Sequence, residues 1–286
     1  MMRTVDLHVH SNKSDGTLSP TELVRLAAKI NLSAFALTDH DTTAGIKEAI
    51  DAGKEYGVEV IPGIEISTFY KDKEIHIVGL CLDYTNRDFL KAIGDEKERR
   101  DERNLLMAEK FCENGFPVTM DEMYEMFPDS IITRAHFASF LTKKGYVKDN
   151  NEAFDKYLGD GKPLYVPKDK KSPSQAIEII KSAGGASILA HPLLYHLTGG
   201  ELNNLCKELA QAGLAGIESM YSTYKGFDEL TVRKLAREYG LLESGGSDFH
   251  GAQKPHIRLG DGMGNLMISY DYLRQIKEYV NYSPLE

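Results

Sequence analysis

The segment 5–16, with the sequence VDLHVHSNKSDG, contains residues whose types and spacing suit the binding of a divalent metal ion. Apolar and polar side chains alternate along its first half, which is the period-two pattern of a β-strand with one apolar face. His8 and His10 therefore lie on one side of the strand, beside Asp6, and two imidazoles at that spacing can bind one metal ion. Asp15 follows in a turn that can reach the same region. A strand whose polar face meets water would show the same local pattern, so this segment alone leaves both interpretations open.

Later segments repeat the combination of a buried strand with histidine or carboxylate residues. Their metal-binding candidates are His40, Glu65, His76, His191, Asp248 and His250. Clustered imidazoles and carboxylates need a cation to neutralise and orient them. The carboxyl ends of parallel strands converge on one mouth of a β/α barrel, where ligands bind. An open doubly wound sheet would unite only the residues at its switch point, so the positions favour the barrel.

The elements that must position these residues form an α/β chain of seven strands, nearly all followed by helices. Capping boxes at 19–22 and 172–175 begin two of the helices. The predicted strands lie near residues 5–9, 34–37, 58–66, 74–82, 186–190 and 214–218, and immediately before 245–250. These runs are apolar enough for a buried parallel sheet. We therefore expect a β/α barrel of seven strands.

A helical block interrupts the alternation of strands and helices. We expect residues 1–90 and 170–286 to form the barrel, and 91–169 to form an inserted helical subdomain that covers its mouth. Within the block, the segment 95–103 (DEKERRDER) mixes charges of both signs. Because the acids cancel the bases, this run predicts an exposed helix stabilised by ion pairs three and four residues apart, in preference to a nucleic-acid-binding patch.

The composition is that of a globular protein and argues against several classes of function. The 286 residues are 42% hydrophobic and 27% charged, and the net charge of −9 disfavours general nucleic-acid binding through a basic surface. That argument does not apply to a local site at which metal ions bind the nucleic acid. The chain shows no apolar run of signal-peptide or membrane length, so we expect a cytoplasmic location without a membrane partner. Cys81, Cys112 and Cys206 are far apart and outside any C-x-x-C pattern, which predicts reduced core thiols.

Seven short motifs resemble, in their order along the chain, those of the PHP (polymerase and histidinol phosphatase) superfamily. They are DLHVHS, SDGT, LTDHD, PGIEIS, HIVG, AHP and GSDFHG. The resemblance covers roughly residues 1–90 and 170–265. The helical block, with its phrase ITRAHFA, further resembles the subgroup that removes phosphate from nucleotides and trims RNA from its 5′ end. The resemblance implies a distorted seven-stranded TIM-like barrel, the PHP fold, that holds three divalent metal ions.

The resemblance also implies which residues bind each ion. The three sets are His8, His10, Glu65 and Asp248; Glu65 as a bridge with His76 and His191; and Asp15, His40 and His250. These hard and borderline ligands, without a thiolate, suit Mn²⁺ as the first choice, with Fe²⁺ and Zn²⁺ as alternatives. We expect Asp6, Asp39 and Asp41 to orient imidazoles rather than to bind metal.

Ions this close to one another suit the hydrolysis of phosphate esters. The expected nucleophile is a metal-bridging hydroxide positioned by Glu65 and Asp248. Arg134, in the family phrase, is the candidate for gripping a phosphate, and Arg258 is a second one. His196 is a candidate for binding phosphate or protonating the leaving oxygen. His136 and His256 are interpreted as structural, a role that histidines on helices and loops commonly have.

The predicted function is that of a metal-dependent phosphoesterase acting on phosphate monoesters of nucleotides. A nucleoside 5′-monophosphate or 3′,5′-bisphosphate would be the small phosphorylated substrate, and short 5′-phosphorylated RNA a longer one, with no obligate protein partner. A histidinol-phosphate phosphatase would use the same barrel and metals, but the helical block with Arg134 suits the nucleotide subgroup better. A non-catalytic metal-binding module of the kind attached to polymerases is disfavoured, because none of the nine ligand positions is replaced.

Overall fold

A computed structural model of the chain describes residues 3–71, 73–128, 130–166 and 171–284, except for the side chains of 95–99. Within these residues, eight strands form one nearly closed barrel. They are β1 (Thr4–Val9), β2 (Ala34–Leu37), β3 (Glu59–Tyr70), β4 (Lys73–Leu80), β5 (Ala186–Leu189), β6 (Gly216–Tyr221), β7 (Leu242–Gly246) and β8 (Ile268–Ser269).

The helices of the described residues surround this barrel or form the block between β4 and β5. They are α1 (Pro20–Lys29), α2 (Ile46–Tyr56), α3 (Arg87–Glu113), α4 (Met120–Met126), α5 (Arg134–Lys143), α6 (Asn150–Ala153), α7 (Pro173–Ser182), α8 (Gly199–Gln211), α9 (Asp228–Tyr239) and α10 (Tyr270–Tyr279). Both predicted capping boxes are present, and each precedes a proline in the first turn of α1 or α7. No described helix is both long and apolar enough to span a bilayer.

The strand order β7-β6-β5-β4-β3-β2-β1-β8 confirms the barrel but corrects its strand count and directions. β4 runs antiparallel to both β3 and β5, and β8 runs antiparallel to β1. The antiparallel β3–β4 pair is expected from chain length, because the two residues between these strands allow a hairpin but no crossover helix. The remaining pairs are parallel, and the barrel closes where His10 N donates to Phe249 O at 3.0 Å.

The alternation in β1 explains how the barrel interior becomes polar at one end. Leu7 and Val9 are fully buried in apolar clusters that include residues of the surrounding helices. Asp6 and His8 point to the other side and are equally buried, but they contact polar groups. The apolar face therefore stabilises the barrel, and the polar face is left for chemistry.

The helical block has a hydrophobic core of its own, separate from the clusters of the barrel. Phe111, Phe137 and Phe140 are fully buried there. The prediction of an exposed charged helix was wrong for part of its length, since Arg100 and Arg103 in α3 are each only 4% exposed. Part of that prediction, the side chains of 95–99, lies outside the described residues. The burial has a physical reason: Arg100 pairs with Asp41 of the barrel, and Arg103 Nε donates to Val166 O within the helical block at 2.7 Å.

The three cysteines are free thiols, as predicted. Cys81 and Cys206 are buried, and burial raises the pKa of each thiol to about 12. Cys112 differs from the prediction of a core thiol, because it lies on an exposed position of α3.

His136 gives the fold a measurable acid sensitivity. It is buried at the start of α5, and its Nδ1 accepts a hydrogen bond from Thr133 N at 3.0 Å. Burial lowers the pKa of His136 to about 4, whereas an unfolded histidine titrates near 6.5. Because the unfolded state binds the proton more tightly, this group's contribution is complete above pH 6.5 and is lost as the pH falls toward 4. Between pH 7 and pH 5 we expect the free energy of unfolding of the wild-type protein to fall by about 2 kcal/mol more than that of His136→Asn. Asparagine keeps a hydrogen-bond acceptor but does not titrate in this range. Urea unfolding of both proteins at the two pH values measures this, and equal losses would contradict it.

Candidate metal centre

The structure brings all nine predicted metal-binding side chains to one end of the barrel. Each belongs to at least one group whose potential ligand atoms all lie within 4.8 Å of one another. The groups are His10, Asp15, His40 and His250; His8, Glu65 and His191; His8, His10 and Asp248; and His40, Glu65 and His76. Six of the strands supply these residues: Glu65 and His76 lie within β3 and β4, and the others lie near the ends of strands or in the turns that follow.

Glu65 lies at the centre of the cluster and contacts five imidazoles. Its Oε2 lies 3.2 Å from each of His8 Nε2, His10 Nε2 and His40 Nδ1, and its Oε1 lies 2.8 Å from His76 Nδ1 and 3.1 Å from His191 Nε2. Burial would raise the pKa of this carboxyl group, but the surrounding imidazoles, His40 foremost, hold it well below its usual range. Glu65 is therefore ionised and can serve as a shared ligand.

Two further carboxylates flank Glu65. Asp248 Oδ1 lies 3.4 Å from His10 Nε2 and 3.3 Å from His250 Nδ1. On the other side, Asp15 lies 3.2 Å from His250 Nε2 and 3.7 Å from His40 Nε2. Burial acts against ionisation of both aspartates, but the neighbouring cations and imidazoles hold their pKa values well below the usual range.

The donor set fits divalent cations. Several buried ring nitrogens have no hydrogen-bond partner among the described residues: His8 Nε2, both nitrogens of His10, His40 Nδ1 and His191 Nδ1. Two ligands bound to one ion at about 2.0–2.1 Å lie about 3.0–3.4 Å apart, which matches the spacing around Glu65. Buried nitrogens that lack partners are costly without a cation. The cluster is therefore capable of binding metal ions.

The antiparallel direction of β4 explains how His76 reaches the cluster. His76 lies near the start of β4 and pairs with Ser67 of β3, two residues after Glu65. In a parallel strand the same position would lie at the opposite end of the barrel. The hairpin thus adds an imidazole that a purely parallel barrel would have placed elsewhere.

The prediction that Asp6 and Asp39 orient imidazole rings was wrong. Asp6 accepts hydrogen bonds from Ser247 Oγ and from the amides of Ser247 and Gly260, at 2.5–2.8 Å. Asp39 accepts from the Ser11 amide and from the hydroxyl of Ser14. Both carboxylates hold backbone segments in place rather than imidazole rings. Asp41 similarly accepts from Ser67 N and pairs with Arg100.

Gly246, at the end of β7, is required by its distance from His8. A Cβ atom at this position would lie 2.3 Å from His8 Cβ and 2.6 Å from His8 N. Because both neighbours are main-chain or first side-chain atoms, they cannot move aside cheaply. We expect Gly246→Ala to destabilise the protein by about 1–3 kcal/mol and to weaken metal binding by displacing His8. Denaturant unfolding measures the loss of stability. Gly240→Ala, at the exposed end of α9, is the control: a Cβ atom there meets open space, but the positive φ of Gly240 strains the backbone. The comparison therefore separates the effect of close contact from that of backbone strain. A loss no larger than that of Gly240→Ala would contradict this.

A cavity of about 140 Å³ opens beside the cluster and contains three arginines. Arg134 and the buried Arg100 and Arg103 line it, together with Asp15, His40 and His76. Burial lowers the pKa of Arg100 to about 10, and the charge of Arg103 acts in the same direction. The buried Nε of Arg100 has no hydrogen-bond partner among the described residues. An anion in this cavity would offset the positive charge of the arginines and could accept a hydrogen bond from Arg100 Nε.

Arg134 is fixed at the edge of this cavity by acidic groups. Its guanidinium pairs with Glu74 and lies 3.0 Å from Asp160 Oδ1. A third bond, at 3.4 Å, goes to Leu158 O. These three contacts leave two of the five N–H donors of the side chain for a ligand.

Two predicted residues do not join the cluster. Arg258 is 64% exposed, pairs with Asp261 at 2.6 Å and lines a separate apolar cavity next to α1. His196 is exposed after the turn that follows β5 and does not line the arginine cavity. The prediction for both rested on nearness in sequence to the metal motifs, and nearness in sequence does not decide where an exposed side chain points.

Three residues at the site were missed by the sequence interpretation. Arg100 and Arg103 are three apart and so lie on one helix face, a signal that the mixed charge of the segment obscured. Glu218 is buried and contacts His8 and His191. It occurs in the triplet Gly-Ile-Glu at 216–218, which repeats the Gly-Ile-Glu of 63–65 that contains Glu65.

Comparison with known proteins supports the interpretation of the site. A profile of the PHP domain matches residues 6–158. A Haemophilus influenzae protein named 5′-3′ exoribonuclease is 40% identical over 250 residues, covering 87% of this chain and 91% of that protein. The 3′,5′-nucleoside bisphosphate phosphatase of Chromobacterium violaceum is 35% identical, covering 87% of this chain and 88% of that protein. A Bifidobacterium adolescentis structure, provisionally named a metal-dependent phosphoesterase, has a TM-score of 0.85 and 29% identity, covering 96% of both chains.

The fold, the cluster and these relatives together define a metal-dependent phosphoesterase. The chain belongs to the PHP domain family. The resemblance predicted from the seven sequence motifs is therefore confirmed.

Proposed function

We propose that the protein hydrolyses phosphate monoesters of nucleotides, with a nucleoside 5′-monophosphate or 3′,5′-bisphosphate as substrate and short 5′-phosphorylated RNA as a longer one. The observation that carries the proposal is the arginine cavity beside the cluster. One phosphate would lie against the cluster while the guanidinium groups bind a second phosphate or the nucleotide backbone. The names of the Haemophilus and Chromobacterium relatives agree with this substrate class.

We further propose that the nine clustered residues bind three Mn²⁺ ions, divided as the family resemblance implies. Such ions supply Lewis acidity: they lower the pKa of water and neutralise charge on phosphoryl oxygens. The protein's part is to fix the geometry. Glu65 joins the histidines of β1 and β4, while Asp248 and Asp15 would supply negative charge toward the cations at the two sides.

The helical block is proposed to act as a subdomain, 91–169, that covers the mouth and determines which substrates enter. Its separate core supports an independent packing unit, and contacts such as Ser130 Oγ to Asn12 O at 2.8 Å and Ser139 Oγ to Gln253 at 2.9 Å join it to loops beside the mouth. We also propose a cytoplasmic location without an obligate protein partner, which the three free thiols support.

A phosphate-release assay with added Mn²⁺ tests the proposed function. The substrates are adenosine 3′,5′-bisphosphate, AMP, a 5′-phosphorylated oligoribonucleotide and histidinol phosphate, and each is repeated with Fe²⁺ and Zn²⁺. We expect a nucleotide to give the highest kcat/KM. Preference for histidinol phosphate would replace the nucleotide proposal by the second phosphatase hypothesis. Metal binding without release from any substrate would indicate a non-catalytic module.

A further inference from the structure

β6 lies in the barrel wall between β5 and β7, yet it supplies none of the nine clustered residues. Its interior positions instead hold Glu218 and Tyr221, which are 1% and 2% exposed. Glu218 belongs to none of the groups of potential metal ligands among the described residues, and Tyr221 contacts a member of one of them, Asp248. A buried carboxylate and a buried phenol at a metal centre need another explanation.

Glu218 contacts two of the clustered histidines at once. Its Oε1 accepts a hydrogen bond from His8 Nδ1 at 2.8 Å, and its Oε2 accepts from the main-chain N–H of His191 at 2.6 Å. The first bond places the His8 proton on Nδ1, so the lone pair of Nε2 faces Glu65. The second holds a residue whose φ of 27° is unfavourable for a non-glycine residue.

Tyr221 acts on the third ligand in the same manner. Its hydroxyl donates to Asp248 Oδ2 at 2.6 Å, and Lys254 Nζ contacts the same oxygen at 2.6 Å. The other oxygen, Oδ1, is left facing His10 at 3.4 Å. The two donors therefore decide which oxygen of Asp248 is turned toward the cluster.

A β-bulge explains how both side chains reach the interior. Residues 218 and 221 are three apart and would face opposite sides of a regular strand. The register of the β6–β7 pair shifts between Glu218 and Met220, and one extra residue there restores the inward direction for Tyr221. Ser219, within the bulge, points away from the cluster and bonds Glu243 at 3.0 Å.

We propose that Glu218 and Tyr221 are positioning residues that hold His8, His191 and Asp248 in the arrangement that binds metal ions. They act through those three ligands and touch neither metal nor substrate. The inference rests on the proposed function only in taking the cluster to be the metal site. Carboxylate partners of metal-bound histidines elsewhere typically contribute about 10–100-fold to metal affinity.

Titration of the metal-free protein with Mn²⁺ by calorimetry tests this without any substrate. Glu218→Gln replaces one of two acceptor oxygens by an NH₂ donor, so one of its two bonds is lost. We expect its Mn²⁺ affinity to fall about 10–100-fold, and that of Tyr221→Phe to fall about 10-fold because Lys254 keeps its bond. The absorption spectrum of the Co²⁺-loaded protein should change in both variants, since it reports ligand geometry rather than overall folding.

Ser219→Ala is the matched control, because it removes a hydrogen bond made by a buried side chain on the outward side of the same strand. Wild-type affinity and spectrum are expected for it. Unchanged affinity and spectrum in Glu218→Gln and Tyr221→Phe would overturn the inference, as would an equal loss in Ser219→Ala. If Glu218→Gln does not fold, the result for Tyr221→Phe decides. A wild-type protein that binds Mn²⁺ but releases no phosphate would defeat the proposed function and leave this inference standing.

Discussion

Replacing Glu65 with glutamine should lower the rate of phosphate release by more than about 100-fold. Loss of a group that only hydrogen-bonds to a metal ligand typically costs about 10–100-fold, so the expected effect is larger. Glu65 is the residue that five imidazoles share. The amide removes the negative charge and replaces one carboxylate oxygen by an NH₂ group, which cannot bind a metal ion. We expect the purified variant to contain less than the wild-type amount of metal, as measured by elemental analysis, alongside the loss of kcat.

Glu59→Gln provides a matched control on the same strand. Glu59 begins β3 at the end opposite the cluster, where it pairs with Lys277 and accepts a hydrogen bond from Tyr270. The chemical change is identical, so any general effect of altering a carboxylate in β3 appears in both variants. We expect Glu59→Gln to keep wild-type metal content and turnover. Full metal content and activity in Glu65→Gln would refute the central role given to this carboxylate.

Replacing Arg134 with lysine should raise KM for a nucleotide substrate about 10- to 100-fold, because a hydrogen bond between charged groups contributes about 1.5–3 kcal/mol. Lysine keeps the positive charge beside Glu74 but loses the planar fork that can bind two phosphate oxygens. Since the charge balance is kept, we expect the melting temperature to change little. Steady-state kinetics with adenosine 3′,5′-bisphosphate and a thermal melt separate these effects.

Arg258→Lys makes the same change at the arginine that the structure separates from the cluster. Its partner is Asp261 on an exposed loop. We expect unchanged KM and kcat for this variant. An equal rise of KM in both variants would mean that the distinction between the two arginines is wrong, and an unchanged KM in Arg134→Lys would remove this residue from the substrate site.

Local patterns in the sequence predicted much of the barrel, because strand alternation and capping boxes are set by neighbouring residues. The strand of Asp6 and His8 is confirmed and ends one residue before His10, and the helix after Ser19 is also confirmed. The direction of β4 was predicted wrongly as parallel, since a strand's own residues do not specify which way its partner runs. The connection of two residues between β3 and β4 is too short for the crossover that parallel strands need, so it requires an antiparallel pair.

The charged segment in α3 shows a different reason for failure. Arg100 and Arg103 are typical of an exposed helix by their neighbours in sequence. Their burial depends on Asp41 and on Val166 O, which approach from distant parts of the chain. A charged side chain is buried only where such partners exist, and this is a property of the packing.

The sequence by itself determined the family, the barrel class and the nine residues that meet at its mouth, because each motif carries its own strand end and its own chemistry. Only the tertiary structure decided which residues support them: Glu218 and Tyr221 from β6, and Arg100 and Arg103 from the helical block. It also separated Arg134 from Arg258. These roles depend on distances between segments far apart in the chain, and those distances follow from how the barrel closes and how the helices pack against it.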